Sequence, residues 1–401
     1  MTIETATFLV QRGGTQFKCT GADLPTKLQV GDLMAVTRPE DNDTYKWNVS
    51  EPLDLRPFRM KIDTRLVAPD NKEFTLTALG TWWYVEPTME VDWGDGTTQI
   101  LTEADGPGAT REYAVPGEYV VSTGLSGYSV PRCSNTRLIL EIKGHDDGSY
   151  ALGNSTGSGF AFFSVSSATN LIQANSDTFD WTWVKSTSSS FSNCSSLTTF
   201  EGANFGPSLT TMATMFNRCS SLTTIGPITG TSNCTDFSQM FNECDSLTEG
   251  PPLDTSGATD MSKMFNNCEK LAVAPVYDVS NNPNMSSMFY NCSALTSAAI
   301  GYDYTNFTGQ ITTYSVCTNL TYCPPNIVDG ALTPYMYMFN SCALTAQSIE
   351  NFLVSVESCG LSNGGAAVAY GTNAPKSTWT AAANAAYDAL IARGYTIYFN
   401  E

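Results

Sequence analysis

Thr259-Asp260-Met261-Ser262-Lys263-Met264-Phe265-Asn266-Asn267-Cys268-Glu269-Lys270-Leu271 carries one copy of a pattern, Met-Phe-x-x-Cys-x-x-Leu, that returns through the second half of the chain. An earlier copy, without the methionine, sets Phe191, Cys194 and Leu197 at the same spacing. Full copies follow at Met215, Phe216, Cys219 and Leu222, at Met240, Phe241, Cys244 and Leu247, and at Met288, Phe289, Cys292 and Leu295. A worn copy comes at Tyr314, Cys317 and Leu320, and the last, with Met338, Phe339, Cys342 and Leu344, is a residue short. The cysteines are 25, 25, 24, 24, 25 and 25 residues apart, and a period that regular predicts a solenoid with one coil per repeat. Side chains that recur at fixed phase are expected to point inward and stack on their counterparts one coil away. The Ser, Thr, Asn and Asp between them satisfy turn backbones and leave a polar outer surface. The run up to Phe265 is expected to form a brief helical turn opened by Thr259 or Asp260. The Cys-x-x-Leu-Thr that follows is expected to be a short strand, stopped by prolines such as Pro227, Pro252, Pro275 and Pro324.

These cores, with linking runs such as Leu253-Asp254-Thr255-Ser256, resemble the BspA-like branch of the leucine-rich repeats, also met as the mycoplasma surface-lipoprotein repeat. The region is bounded here at 144–344. The resemblance implies a surface-exposed binding protein of a kind often encoded by bacteriophages, and it names no ligand. From Gly144 to about Lys185 the chain is rich in Gly, Ser, Asn and Thr, interrupted by Phe160, Phe162, Phe163, Phe179, Trp181 and Trp183. This stretch is expected to supply atypical first coils that cap the stack.

The chain of 401 residues is 42% hydrophobic and only 15% charged, yet its net charge is −19. A field of that sign repels phosphate backbones and anionic lipids, so neither nucleic acid nor a membrane surface is expected as partner. Met1-Thr2-Ile3-Glu4-Thr5-Ala6-Thr7 has no basic start and no apolar run of signal-peptide length, and no stretch is apolar enough to span a bilayer. A protein shaped like an adhesin but assembled in the host cytoplasm without an export signal fits a virion component. Seven of the twelve cysteines belong to the repeat phase and read as reduced, buried core thiols. The other five, Cys19, Cys133, Cys234, Cys323 and Cys359, show no metal-ligand spacing, and a single histidine leaves no His-based zinc site. That histidine, His145, lies in Gly144-His145-Asp146-Asp147-Gly148 and reads as a solvated turn residue. No Ser/His/Asp or Cys/His set can be assembled and no phosphate-binding glycine loop occurs, so no enzyme, cofactor or metal is expected.

Residues 1–52 hold an internal duplication: Phe8-Leu9-Val10-Gln11-Arg12 and Phe17-Lys18-Cys19 are echoed by Met34-Ala35-Val36-Thr37-Arg38 and Tyr45-Lys46-Trp47. Each half predicts two short strands, giving a small β module. It is similar to the N-terminal module of some phage structural proteins, which implies docking onto a virion; a generic β cap is the alternative. Residues 53–143 predict a second β domain with strand candidates at 58–62, 73–79, 82–85, 89–93, 118–122 and 138–142. Within it, Val91-Asp92-Trp93-Gly94-Asp95-Gly96-Thr97 and the downstream Val115-Pro116-Gly117-Glu118-Tyr119-Val120-Val121 resemble the polycystic-kidney-disease (PKD) domain, an immunoglobulin-like sandwich that serves as a spacer or contact module. Asp92 and Asp95 lack the further oxygen ligands that calcium needs, whereas Gly94 and Gly96 suit a tight hairpin.

Residues 345–401 predict an α/β cap. Thr345 is a good N-cap, Ile349, Phe352, Leu353 and Val356 recur at helical spacing, and Gly360 stops the helix. A second helix is expected over 380–393, then the strand Tyr395–Phe399, together shielding the open end of the stack. The fold class expected is therefore mainly β with short helices: module, sandwich, leucine-rich-repeat solenoid and cap. The function expected is a non-enzymatic tail fibre or appendage of a phage, joined to other virion proteins through residues 1–52, forming a homo-oligomer and presenting the repeats to a host glycan or protein. A capsid or tail decoration protein and a bacterial surface adhesin are the alternatives. Tyr290, Tyr302, Tyr304 and Tyr335 are the candidate binding surface, because aromatics are enriched where proteins recognise partners.

Overall fold

The computed structural model describes residues 7–12, 15–20, 33–37, 44–48, 58–63, 65, 73–78, 88–101, 109–126, 131–134, 139–143, 166–174, 181, 184–281, 284–299, 302, 311–328, 330 and 333–401. His145, Tyr304, Phe160, Phe162, Phe163, Phe179 and Trp183 lie outside them, as does the strand expected at 82–85. The described chain is mainly strand and turn, with two short α-helices.

Strands β1 (Thr7–Arg12), β2 (Thr15–Thr20), β3 (Leu33–Thr37) and β4 (Thr44–Asn48) form one antiparallel sheet in the order β2-β1-β3-β4. The duplication seen in the sequence thus appears as two hairpins joined edge to edge by β1 and β3.

The next eight strands are β5 (Phe58–Asp63), β6 (Glu73–Ala78), β7 (Thr88–Asp92), β8 (Thr98–Leu101), β9 (Ala109–Glu112), β10 (Glu118–Ser126), β11 (Pro131–Ser134) and β12 (Ile139–Lys143). One sheet runs β11-β6-β9, and the other contains β12-β5-β10-β7-β8. Ile62, Val91, Trp93, Tyr113 and Val121 are buried, and the Tyr113 hydroxyl donates to the Trp93 carbonyl at 2.9 Å. At the β7–β8 hairpin the Gly94 amide donates to Asp92 Oδ1 (2.9 Å), and the Thr97 amide donates to Asp95 Oδ1 (3.1 Å). Gly94 has φ +74°, and any Cβ there would run into the Val120 backbone. Arg111 closes on Asp95 Oδ2 through Nε at 2.8 Å and Nη2 at 2.5 Å. Burial alone would raise the Asp95 carboxyl, but the hydrogen bonds from Thr97 and Arg111 outweigh it and hold it below its ordinary range. Both carboxylates are therefore engaged by the turn itself.

The larger sheet continues past β12. The first repeat strands, β13 (Gln173–Ala174), β14 (Thr199–Phe200) and β16 (Thr224–Ile225), add to it in parallel, giving the order β16-β14-β13-β12-β5-β10-β7-β8. Glu141 pairs with Gln173 and Ile142 with Ala174. Strands β15 (Ala203–Asn204) and β17 (Ile228–Thr229) pair in parallel beside them. Later repeats keep the register through single bridges, Glu249 to Val273 and Ser297 to Tyr322.

Repeat lies on repeat among the described residues of 184–344. Amides of Met212, Thr214, Phe216 and Arg218 donate to the carbonyls of Asp236, Ser238, Met240 and Asn242 at 2.8 to 2.9 Å, and the same four bonds recur from Phe237–Glu243 to the following repeat. This overturns the helical turn expected before each Met-Phe. Alternate amides leave for the next repeat, so an i to i−4 ladder cannot form. The chain bends instead through tight turns such as Met215 N to Met212 O (3.2 Å) and Cys219 N to Phe216 O (3.0 Å). Each of these turns holds its third residue, Thr214 or Arg218, at positive φ.

The strand expected over Cys-x-x-Leu-Thr is corrected as well. Leu197, Leu222, Leu247, Leu271, Leu295 and Leu320 do not lie in strands. Each closes a turn instead, its amide donating to the carbonyl of the cysteine three residues back at 2.9 to 3.1 Å. An amide spent inside its own repeat cannot join a ladder to the next one, so pairing starts only beyond the leucine, at Thr199 after Leu197 and at Thr224 after Leu222. The last leucine departs from this pattern, because the shortened copy brings the Leu344 amide onto Asn373 Oδ1 of the cap.

Inside, the rings form a column: Phe191, Phe216, Phe241, Phe265, Phe289, Tyr314 and Phe339 stack with centroids 5.3 to 5.7 Å apart and planes within 17°. Each such pair contributes roughly 0.5–1.5 kcal/mol beyond its burial. The ten cysteines from Cys194 to Cys359 are free thiols. Thiols of Cys219, Cys244, Cys268, Cys292, Cys317 and Cys342 donate to the ring residue's carbonyl one repeat back, at 3.0 to 3.2 Å.

Helix α1 (Ala346–Ser358) is capped by Thr345, whose hydroxyl accepts from the Ser348 amide, and it buries Ile349, Phe352, Leu353 and Val356. Its Phe352 meets Phe339 edge-on (5.1 Å, 83°) and ends the ring column. Helix α2 (Ala381–Ala392) follows, packed on α1. Strand β18 (Tyr335–Met336) of the last repeat is extended in parallel by β19 (Gly365–Val368) and β20 (Thr396–Phe399). Buried Asn373 completes the end of the stack, accepting from the Leu344 amide (2.8 Å) and donating to the Phe339 carbonyl (3.0 Å).

Candidate functional site

Every side chain of the expected repeat core is buried. The rings and cysteines are closed off together with Met215, Met240, Met264, Met288 and Met338, and so are Leu197, Leu222, Leu247, Leu271, Leu295, Leu320 and Leu344. These residues are the interior and offer nothing to a ligand, so none of them is a functional site. Burial pushes the thiols up, to about 12 for Cys194, Cys234 and Cys317, so at neutral pH they are protonated and not nucleophilic.

Function has to be sought outside. Polar columns run along the stack: Thr198, Thr223, Thr210, Thr235 and Thr259 each turn a hydroxyl onto the carbonyl of the repeat before. Asp236, Asp260 and Asn284 accept the amides of Ser238, Ser262 and Ser286, each two residues on. Asn242 donates to Asn217 at 2.7 Å, and Arg218 pairs with Glu243 at 3.0 Å. Burial, then the carboxylates of Glu269 and Glu243, raise Asp245 above its ordinary range. The threonine hydroxyls, the Asp236, Asp260 and Asn284 turns, the Asn242–Asn217 bond and the Arg218–Glu243 pair are satisfied within the repeats. Among the described residues no set of three or more His, Cys, Asp or Glu could hold a metal ion, and no helix is long and apolar enough to cross a membrane.

The four candidate tyrosines separate. Tyr335 is 47% exposed and Tyr290 is also exposed. Tyr302 is 6% exposed, and its hydroxyl donates to the Pro275 carbonyl at 2.8 Å. It is a second-column core ring against Phe289 and is withdrawn from the surface set. Its equivalent one repeat earlier, Tyr277, is buried and donates in the same way to Pro251.

Sequence reasoning missed the aromatics of the cap. On the sheet β18-β19-β20, Met336, Ala366 and Ile397 face inward and are buried, so Tyr335, Gly365, Thr396 and Tyr398 share the outer face. Tyr398 is 48% exposed. The Tyr337 ring lies over Gly365, where any Cβ would collide with its hydroxyl, and its centroid is 6.3 Å from that of Tyr398. Burial, then the neighbouring Tyr398 and Tyr335, raise the Tyr337 phenol. Alternation within Thr396–Phe399 and the small residues of β19 were the available signals, but only the parallel register brings these rings together. Close by, Trp379, Tyr387 and Phe399 meet edge-on, with Lys376 Nζ 3.5 Å from the Tyr387 centroid. No carboxylate is paired with Lys376 among the described residues, so its charge is held by the rings.

A family model described as "Mycoplasma protein of unknown function, DUF285" matches residues 161–271, 210–327 and 251–352, overlapping windows that together run from residue 161 to residue 352. The chain is similar to that repeat family over this stretch. No curated protein and no solved structure matches it.

Proposed function

We propose that the chain is a non-enzymatic virion protein of a phage, a tail fibre or similar appendage. In this reading residues 1–52 dock onto other virion proteins, residues 53–143 are a PKD-like spacer, and residues 144–344 are a BspA-like leucine-rich-repeat solenoid that contacts the host surface. The observation that carries the reading is the parallel pairing of β12 with β13, which makes spacer and repeats one sheet and so one arm. An arm of this kind, closed by α1 at the far end and clad in self-satisfied polar columns, is suited to holding a recognition surface away from a particle. The same parts serve a capsid or tail decoration protein, which would bind no host.

A chain lacking residues 1–52 tests this. It is expected to fold, to bind intact host cells, and to be missing from purified particles by mass spectrometry. Particles that carry the truncated chain would rule out the docking role, and full-length chain that ignores host cells would favour decoration.

A bacterial surface adhesin is the second reading; the description of the matching family names a bacterial genus and no function. Labelling with a membrane-impermeant reagent on bacterial cells, in the absence of any phage, would replace the first reading with this one.

A further inference from the structure

We propose that the outer face of β18-β19-β20 is a platform for a neutral glycan, with Tyr335, Tyr337 and Tyr398 as its stacking rings. The proposal rests on the surface-recognition reading above and supplies the chemical class and position of the ligand.

The face is built for rings. Gly365 and Ala367 of the central strand are buried although both lie on the outer side, and the Tyr337 ring lies over Gly365 in the space its missing side chain leaves. Tyr335 and Tyr398 flank it from the two outer strands, each about half exposed. A fourth aromatic is tied to the same edge. Tyr370 is 65% exposed and sits at φ +60°, held there by Asn400, whose Oδ1 accepts the Tyr370 amide at 2.8 Å.

The chemistry of the occupant follows from what this face has and lacks. Phenol rings offer a negative quadrupole face to the weakly positive C–H faces of a pyranose, and their hydroxyls can exchange hydrogen bonds with sugar hydroxyls. Strands β18, β19 and β20 carry no charged residue in a chain of net charge −19, so the face matches a neutral ligand and the surrounding field opposes an acidic one. The buried alternate residues Met336, Ala366 and Ile397 fix the platform to the core, so the rings are held in place before a ligand arrives.

The full chain, applied to a printed array of neutral and of sialylated or uronic-acid oligosaccharides, tests the proposal. The neutral members are expected to retain it. The double variant Tyr335→Ala with Tyr398→Ala should lose about tenfold or more in apparent affinity, the equivalent of roughly 1.4 kcal/mol. The variant Tyr322→Ala, also at an exposed ring but bridged to Ser297 outside this sheet, should leave retention unchanged. Unaltered thermal melting of both variants would confirm that folding is not what changed. Neutral glycans held equally well by the variant at Tyr335 and Tyr398 would overturn the platform and leave the recognition reading standing. Retention of acidic glycans alone would overturn the ligand class. Retention of nothing would overturn it too, and binding of the same protein to intact host cells would then show whether the recognition reading falls with it.

Discussion

A thiol that donates to a carbonyl one repeat back is a packing group with a donor attached. Cys244 Sγ sits 3.2 Å from the Phe216 carbonyl, which already accepts the Cys219 amide, so the thiol fills a second lone pair that alanine would leave bare. Such an arrangement makes the fold sensitive to alkali. Unfolded thiols ionise near 9.0, whereas burial holds Cys194, Cys234 and Cys317 at about 12. Between those values the folded state keeps protons that the unfolded state has released, so stability is complete below about pH 9 and falls as pH rises toward 12. The urea midpoint is expected to drop across that window, and to drop less steeply when Cys234→Ala and Cys317→Ala are combined. An identical slope in the variant would remove the thiols as the cause. The sequence announced the seven repeat cysteines, Cys194 and Cys317 among them, and the leucines three residues after most of them, as interior through their period alone, whereas Cys234 stands outside that period. It did not announce the left-handed residues before them, because Thr214, Arg218, Gln239 and Glu243 are ordinary residues whose positive φ is imposed by amides pairing with the next repeat.

At the scale of elements, α1 does for the last repeat what each repeat does for the one before. Phe352 stands where an eighth ring of the column would stack, but it turns edge-on to Phe339 and so offers no flat face for further addition. Replacing it with alanine removes a fully buried ring at the end of the stack, and a loss of about 3–5 kcal/mol is expected from comparable truncations. Phe352→Leu should recover most of that loss, since leucine still covers Phe339. Chemical denaturation of the three proteins measures both values, and an alanine variant within about 1 kcal/mol of the parent would show that the helix is held elsewhere. The helix itself was legible: Thr345, the spacing of Ile349 to Val356, and Gly360 all act locally. Strand β19 was not, because Gly-Ala-Ala-Val has little strand character of its own and is extended only by lying between β18 and β20. Tyr302 was misplaced for a related reason, since a lone tyrosine carries no mark of the proline carbonyl that receives its hydroxyl.

Across the whole molecule, the join between strand β12 and the repeats is a sheet, and this was beyond the reach of sequence patterns. Glu141-Ile142 and Gln173-Ala174 meet across a stretch of about thirty residues with no repeat phase to set the register. The consequence concerns the exposed edge. The backbone of β13 is satisfied on one side by β14 and on the other by β12, just as α1 and Asn373 satisfy the opposite end of the stack. Removing residues 1–143 would strip β12 away and present the unpaired edge of β13 to any other chain, the condition under which parallel repeat arrays add to one another. Size-exclusion chromatography with light scattering over a range of concentrations is the measurement. The truncated chain is expected to self-associate with rising concentration, whereas removal of residues 1–52 alone should leave the oligomeric state unchanged. A truncated chain whose mass stays constant over that range would mean that β12 contributes no cover the repeats need, and the two halves would then be neighbours rather than one arm.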